Sequence, residues 1–138
     1  MIMKTKAEKT NSEKQAESQL ESIIEMTTLL EQAREQDCDK LIEEAEQAIQ
    51  QDALSIECRS GWYAPGAERT ELKPVEYTIL LCTGGPACRI IGDLSEYGEP
   101  ETARIEHQDW GTYWTDLPLD TEQEEKVLTY ARCFYFNA

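Results

Sequence analysis

The period of apolar and polar residues along this chain changes once, near residue 53. From Ser12 onward, Ala16, Ile23, Met26, Leu30 and Ala33 recur at heptad-like intervals, with Leu20, Ile24 and Leu29 widening the stripe. A spacing near 3.6 residues gathers such positions on one face of a helix. Ser12-Glu13-Lys14-Gln15 has capping-box spacing, in which a side-chain oxygen accepts from an otherwise unpaired N–H of the first turn, so it marks the helix start. At 36–39 the pattern breaks, and Asp37 or Asp39 can cap a second helix. Leu41, Ile42, Ala45, Ala48 and Ile49 line one side of that helix, and Glu43, Glu44 and Glu46 the other. These features predict an N-terminal helical hairpin over 12–52, which can also act as an arm for a homodimer, the alternative in which the chain is a homodimerising accessory protein with an inert acidic surface. Residues 1–11 are polar, carry Lys4, Lys6 and Lys9, and read as a disordered tail.

Beyond residue 53 the period falls to two, the mark of strands. Leu54, Ile56 and Cys58 alternate with Ser55, Glu57 and Arg59, predicting a half-buried strand. Val75–Cys82 is nearly continuous and apolar at its end, as expected of a central strand covered on both faces. Cys88–Leu94 and Thr102–Asp109 are the third and fourth strands, separated by a turn holding Gly98 and Pro100. An aromatic loop, Trp110–Leu119, leads to a last helix at the capping box Thr121-Glu122-Gln123-Glu124, with Val127, Tyr130, Ala131 and Phe134 as its apolar stripe. The predicted fold is therefore α+β: the hairpin of 12–52, then a 53–138 domain with a four-stranded antiparallel meander and a C-terminal helix packed on the sheet.

The stretch LLCTGGPACRI, Leu80–Ile90, carries the most suggestive chemistry. A phosphate loop must lead from a strand into a helix, so that several N–H groups converge on the anion. Here Thr83-Gly84-Gly85-Pro86 leads into another strand, and the stretch reads as a hairpin turn. Metal binding would have to draw on Cys58, Cys82, Cys88 and His107, which lack the close pairs that build a tetrahedral site, and no metal or cofactor is expected. A nucleophile system of Cys82 or Cys88 with His107 and Asp109 is the sharpest enzymatic alternative, a small cysteine-dependent enzyme or redox protein. The negative surroundings raise thiol pKa and oppose it.

Charge sets the broad class. The chain has 28 acidic and 13 basic residues, net −15 over 138 residues. Such a chain repels phosphate backbones and anionic lipids, so neither nucleic acid nor membrane is an expected direct partner. Its N-terminus lacks the apolar core of a secretory signal, and its five cysteines fit free thiols in a reducing cytoplasm. Eleven acids fall between Asp93 and Glu125, opposed only by Arg104. In QDWGTYWTD, Gln108–Asp116, aromatic rings stand beside acids, a combination suited to gripping Arg and Lys. The candidate partner-binding residues are Glu96, Glu99, Glu101, Asp109, Trp110, Trp114 and Asp116, and no catalytic residue is assigned.

LLCTGGPACRI, Glu99-Pro100, QDWGT and the closing ARCFYF together resemble a group of small phage, prophage and plasmid proteins. The resemblance covers about residues 54–136, and Tyr113 stands where that pattern has Pro after QDWGT. It implies a gene carried by a mobile element, a context in which small acidic proteins often inhibit host defence, anti-CRISPR and anti-restriction proteins included, some of them DNA mimics. The expected function is an acidic, non-enzymatic inhibitor that occupies a basic nucleic-acid-binding surface of a bacterial defence complex, in the host cytoplasm.

Overall fold

A computed structural model describes residues 9–68 and 72–136. The chain runs α1 (Asn11–Glu35), α2 (Asp39–Asp52), β1 (Ser55–Ser60), β2 (Pro74–Cys82), β3 (Ala87–Asp93), β4 (Arg104–Gln108), β5 (Thr115–Leu117) and α3 (Thr121–Ala131). The strands form one antiparallel sheet in the order β1-β2-β3-β4-β5, so the α+β class and the meander stand. The sheet has five strands where the pattern predicts four. The added strand, β5, is three residues long, too short to display a period of two within the aromatic stretch.

Helix α1 lies over β3, β4 and β5 and packs beside α2 and α3. Its buried positions are Ser12, Ala16, Leu20, Ile23, Thr27, Leu30 and Ala33. Ala16, Leu20, Ile23 and Leu30 enter the same core as Tyr77, Ile79, Ile90 and Ile105 of the sheet and Val127 and Tyr130 of α3. The helices of 12–52 and the sheet of 53–138 thus share one hydrophobic core. Leu29, expected on the apolar stripe, points outward, and Thr27 takes an inner position with its hydroxyl donating to the Ile23 carbonyl at 2.8 Å. On α2, Ile49 is buried while Leu41 and Ala48 are exposed.

Both N-terminal caps are displaced from the predicted residues. Thr10 caps α1, its hydroxyl accepting from Glu13 N–H, so Thr10 and Asn11 belong to the helix start and not to a tail. Residues 1–8 lie outside the described residues. Asp120, one residue before the predicted Thr121, caps α3 and forms a full capping box with Gln123. Neither Asp37 nor Asp39 caps α2: its N-cap is Cys38, without a side-chain bond, and Asp37 adopts a left-handed φ of 51°.

Two strand environments also differ from expectation. β3, not β2, is the middle strand, and β2 is buried on alternate residues only, at Tyr77, Ile79 and Leu81. Among the described residues the helices cover one face of the sheet, so β2 meets no second layer there. β1 is the sheet edge, and it is exposed on both faces because α1 sits toward the opposite edge. The hairpin predicted at Leu80–Ile90 is present, with Gly84 at φ 112° in its turn.

Gly92 in β3 is required by close packing. A Cβ there would overlap the Thr102 carbonyl and stand 2.9 Å from Tyr77 Cε1, while the Tyr77 hydroxyl donates to that same carbonyl at 2.7 Å. Gly92→Ala is expected to lower stability by about 1–3 kcal/mol or more, as overpacking of a filled core does. Gly85→Ala, at a position with nothing within 4 Å, is the control. Urea titration of both variants checks this, and equal midpoints would contradict it.

Candidate functional site

Two groups of candidate residues emerge, one beneath the start of α1 and one at the ends of the sheet. In the first, cross-strand register sets Cys82 opposite Cys88 and Cys88 opposite His107, so the row suspected from sequence exists. The first turn of α1 closes over it. Ser12 N–H donates to Asp109 Oδ1 at 3.0 Å, and Ser12 Oγ–H donates to Asp109 Oδ2 at 2.9 Å. Ser12 Oγ also lies 2.9 Å from His107 Nδ1. When the serine proton is given to the carboxylate, a bond at the second contact takes its proton from His107 Nδ1.

That proton order defines what the cluster can do. A serine nucleophile needs an imidazole nitrogen free to accept its proton; here the imidazole donates to the serine. The thiols are no better placed. Burial pushes Cys88 up to about 12, with nearby Cys82 adding to the rise, and burial also raises Cys82. Burial likewise pushes Cys133 up to about 11. A thiolate is the reactive form, so burial works against reaction at these thiols. Among the described residues, no group of three or more His, Cys, Asp and Glu side chains is placed to hold a metal ion.

Sequence reasoning missed Ser12 by reading it as the cap of its own helix. A signal was present, since Ser12 stands four residues before Ala16 and so continues the buried stripe inward. Asp109, placed among the partner-binding candidates, is held by α1.

The second group divides. Glu96, Glu99 and Glu101 lie in the loop between β3 and β4, exposed on a turn that Ser95 ties together by accepting from the N–H groups of Tyr97 and Glu99. Trp110 lies in the loop between β4 and β5, at the other end of β4. The five residues of β4 separate these ends by about 17 Å at the usual rise of a strand. The Trp110 loop is well tied: Thr112 N–H and Oγ1–H both donate to the Asp109 carbonyl, and Gln108 Nε2 donates to the Thr112 carbonyl at 2.9 Å. On this fixed turn Trp110 is 88% and Tyr113 91% exposed.

Trp114 and Asp116 belong instead to the uncovered face of the sheet. The Arg89 guanidinium lies 4.1 Å from the Trp114 ring centre and pairs with Glu106 at 2.8 Å. Arg104 lies between Glu106, at 3.7 Å, and Asp116, at 3.5 Å. The grip on a cation predicted for Trp114 is thus exercised on the chain's own Arg89. Among the eleven acids of 93–125, Glu106 and Asp116 meet arginines and Asp109 meets a helix N-terminus.

With a thiol-alkylating reagent at neutral pH, Cys58, which is exposed, should be labelled first, whereas Cys88 and Cys133 should react only on denaturation. Mass spectrometry of labelled peptides checks this. Labelling of Cys88 in the folded protein at the rate of Cys58 would reinstate the cysteine-dependent reading.

Comparison of the chain with protein-family models, with curated proteins and with solved structures gave no significant match.

Proposed function

We propose that this chain is a non-enzymatic interaction protein that docks on a basic, nucleic-acid-binding surface of a bacterial defence complex and inhibits it in the host cytoplasm. The observation that carries the reading is the exposure of Trp110 and Tyr113 on a hydrogen-bonded turn of a chain with net charge −15. Large rings with only two side-chain torsions lose little entropy on binding, and they bind arginine and lysine through their faces. The surrounding negative field speeds encounter with a basic surface and disfavours acidic ones. Glu96, Glu99 and Glu101, about 17 Å from the aromatic turn by the length of β4, add a second negative patch, as expected of a surface that substitutes for spaced phosphates. The mobile-element origin and the defence target rest on the resemblance carried by LLCTGGPACRI, QDWGT and FYF.

A thiol-based function is the second reading, favoured by the adjacency of Cys82, Cys88 and His107 and opposed by the burial that raises both thiols. Among the described residues no helix is long and apolar enough to cross a membrane.

Affinity capture from bacterial lysate tests the leading reading. A nucleic-acid-binding complex should be retained at low salt, released as salt rises, and displaced by added DNA or RNA. Trp110→Ala with Tyr113→Ala, and separately Glu96→Lys with Glu99→Lys and Glu101→Lys, should each abolish retention without changing the melting temperature. Retention that ignores salt, nucleic acid and both sets of substitutions would overturn it.

A further inference from the structure

Among the described residues, the edge strand β1 is left largely uncovered, and the C-terminal segment meets it where the Cys58 thiol donates to the Phe136 carbonyl at 3.8 Å. Alternation predicts that Leu54, Ile56 and Cys58 face a core, and register places them correctly for it: Ile56 opposes Ile79 and Cys58 opposes Tyr77, both inward-facing. Yet Leu54 is 58% and Ile56 39% exposed, and Cys58 is exposed as well. Just past the strand, Gly61 still runs against Val75, and Trp62 is fully exposed. Among the described residues nothing pairs with the outer edge of β1. An unpaired edge is a template for another strand.

We infer that the occupant of this edge is a second copy of the same chain, paired antiparallel β1 to β1 about a two-fold axis through Cys58. The charge pattern selects this register. Centred on Cys58, the pairing sets Glu57 opposite the partner's Arg59 and Arg59 opposite the partner's Glu57. Centred one residue earlier it opposes glutamate to glutamate, and one residue later arginine to arginine. Directly opposed opposite charges stabilise a strand pair and like charges destabilise it.

The same register answers the exposed apolar side chains. Residues directly opposed across an antiparallel pair share a face of the sheet. Extended one residue before and two residues beyond the strand, this register sets Leu54 opposite the partner's Trp62, so two exposed apolar groups cover each other twice. On the other face, Arg59, already 2.6 Å from Glu76, takes the partner's Glu57 on its second side. Each protomer contributes its five strands, giving one continuous sheet with both helix layers on the same side.

The pairing also brings Cys58 against its symmetry mate. Opposed residues of antiparallel strands have Cα atoms about 4.5–5.5 Å apart, inside the roughly 4.4–6.8 Å range that a disulfide spans. Treatment of the full chain with diamide, which takes up the two electrons and two protons released by a thiol pair, should therefore yield a covalent dimer linked through Cys58. Cys58→Ser should prevent it.

Sedimentation equilibrium of the full chain provides the second test. The wild type should dimerise reversibly. Arg59→Glu and Glu57→Arg should each weaken self-association about tenfold or more, since each places like charges opposite one another twice. Mixing the two variants should restore a dimer, because every opposed pair is then complementary. A wild type that remains monomeric at its highest soluble concentration, a dimer that both substitutions leave intact, or a cross-link that survives Cys58→Ser would overturn the inference. None of these results bears on capture of a nucleic-acid-binding complex, so the two proposals fail separately.

Discussion

The carboxylate of Asp109 on the first turn of α1 is the contact on which the arrangement of this protein depends. A helix begins with N–H groups that have no acceptor within the helix. In α1, Thr10 supplies one acceptor locally, and Asp109, 97 residues further along the chain, supplies the acceptor for Ser12. The carboxylate also sits at the positive end of the helix dipole, where negative charge is favoured. Ser12 Oγ joins it to His107 of β4, so the helix start is fixed both to a side chain within the strand and to Asp109 just past its end. Once that end is set, the stripe from Ala16 to Leu30 falls over the sheet, and α2 and α3 pack beside it.

The same contact explains the shape of the candidate interface. Asp109 is both the anchor of α1 and the first residue of the turn that carries Trp110 and Tyr113. Its side chain is drawn inward, and its carbonyl is bonded by Thr112, which leaves the two rings on the outside of a closed turn. The structure thus spends one acid of the aromatic stretch on stability and presents the neighbouring rings. The charges of Glu106 and Asp116 are likewise engaged with Arg89 and Arg104, on the uncovered face of the sheet. Negative charge therefore acts mainly from the loop of Glu96, Glu99 and Glu101 and from surfaces away from this ladder.

Much of this architecture was legible in sequence because local patterns agreed with the final packing. The change of period near residue 53, the alternation of Ala103, Ile105 and His107, and the turn of Gly84 all correspond to observed features. What was hidden depended on distant partners. Ser12 looked like a cap because its true acceptor lies 97 residues away. β5 gained its identity from pairing with β4, since its three residues carry no pattern of their own. The alternation of β1 is real, yet edge position, which no local pattern encodes, left its apolar side exposed. Of the candidate site, residue types were legible and proximity was not: Trp114 faced an arginine of β3, and the acids separated to opposite ends of β4.

The most direct test of the central contact is a double-mutant cycle between Ser12→Ala and Asp109→Ala, read as unfolding free energy in urea. Charge-assisted hydrogen bonds within one network couple by roughly 1–3 kcal/mol, so the double variant should be less destabilised than the sum of the single variants by about that amount. Strict additivity would contradict the account, because it would mean that the Ser12 hydroxyl and the Asp109 carboxylate do not stabilise one another.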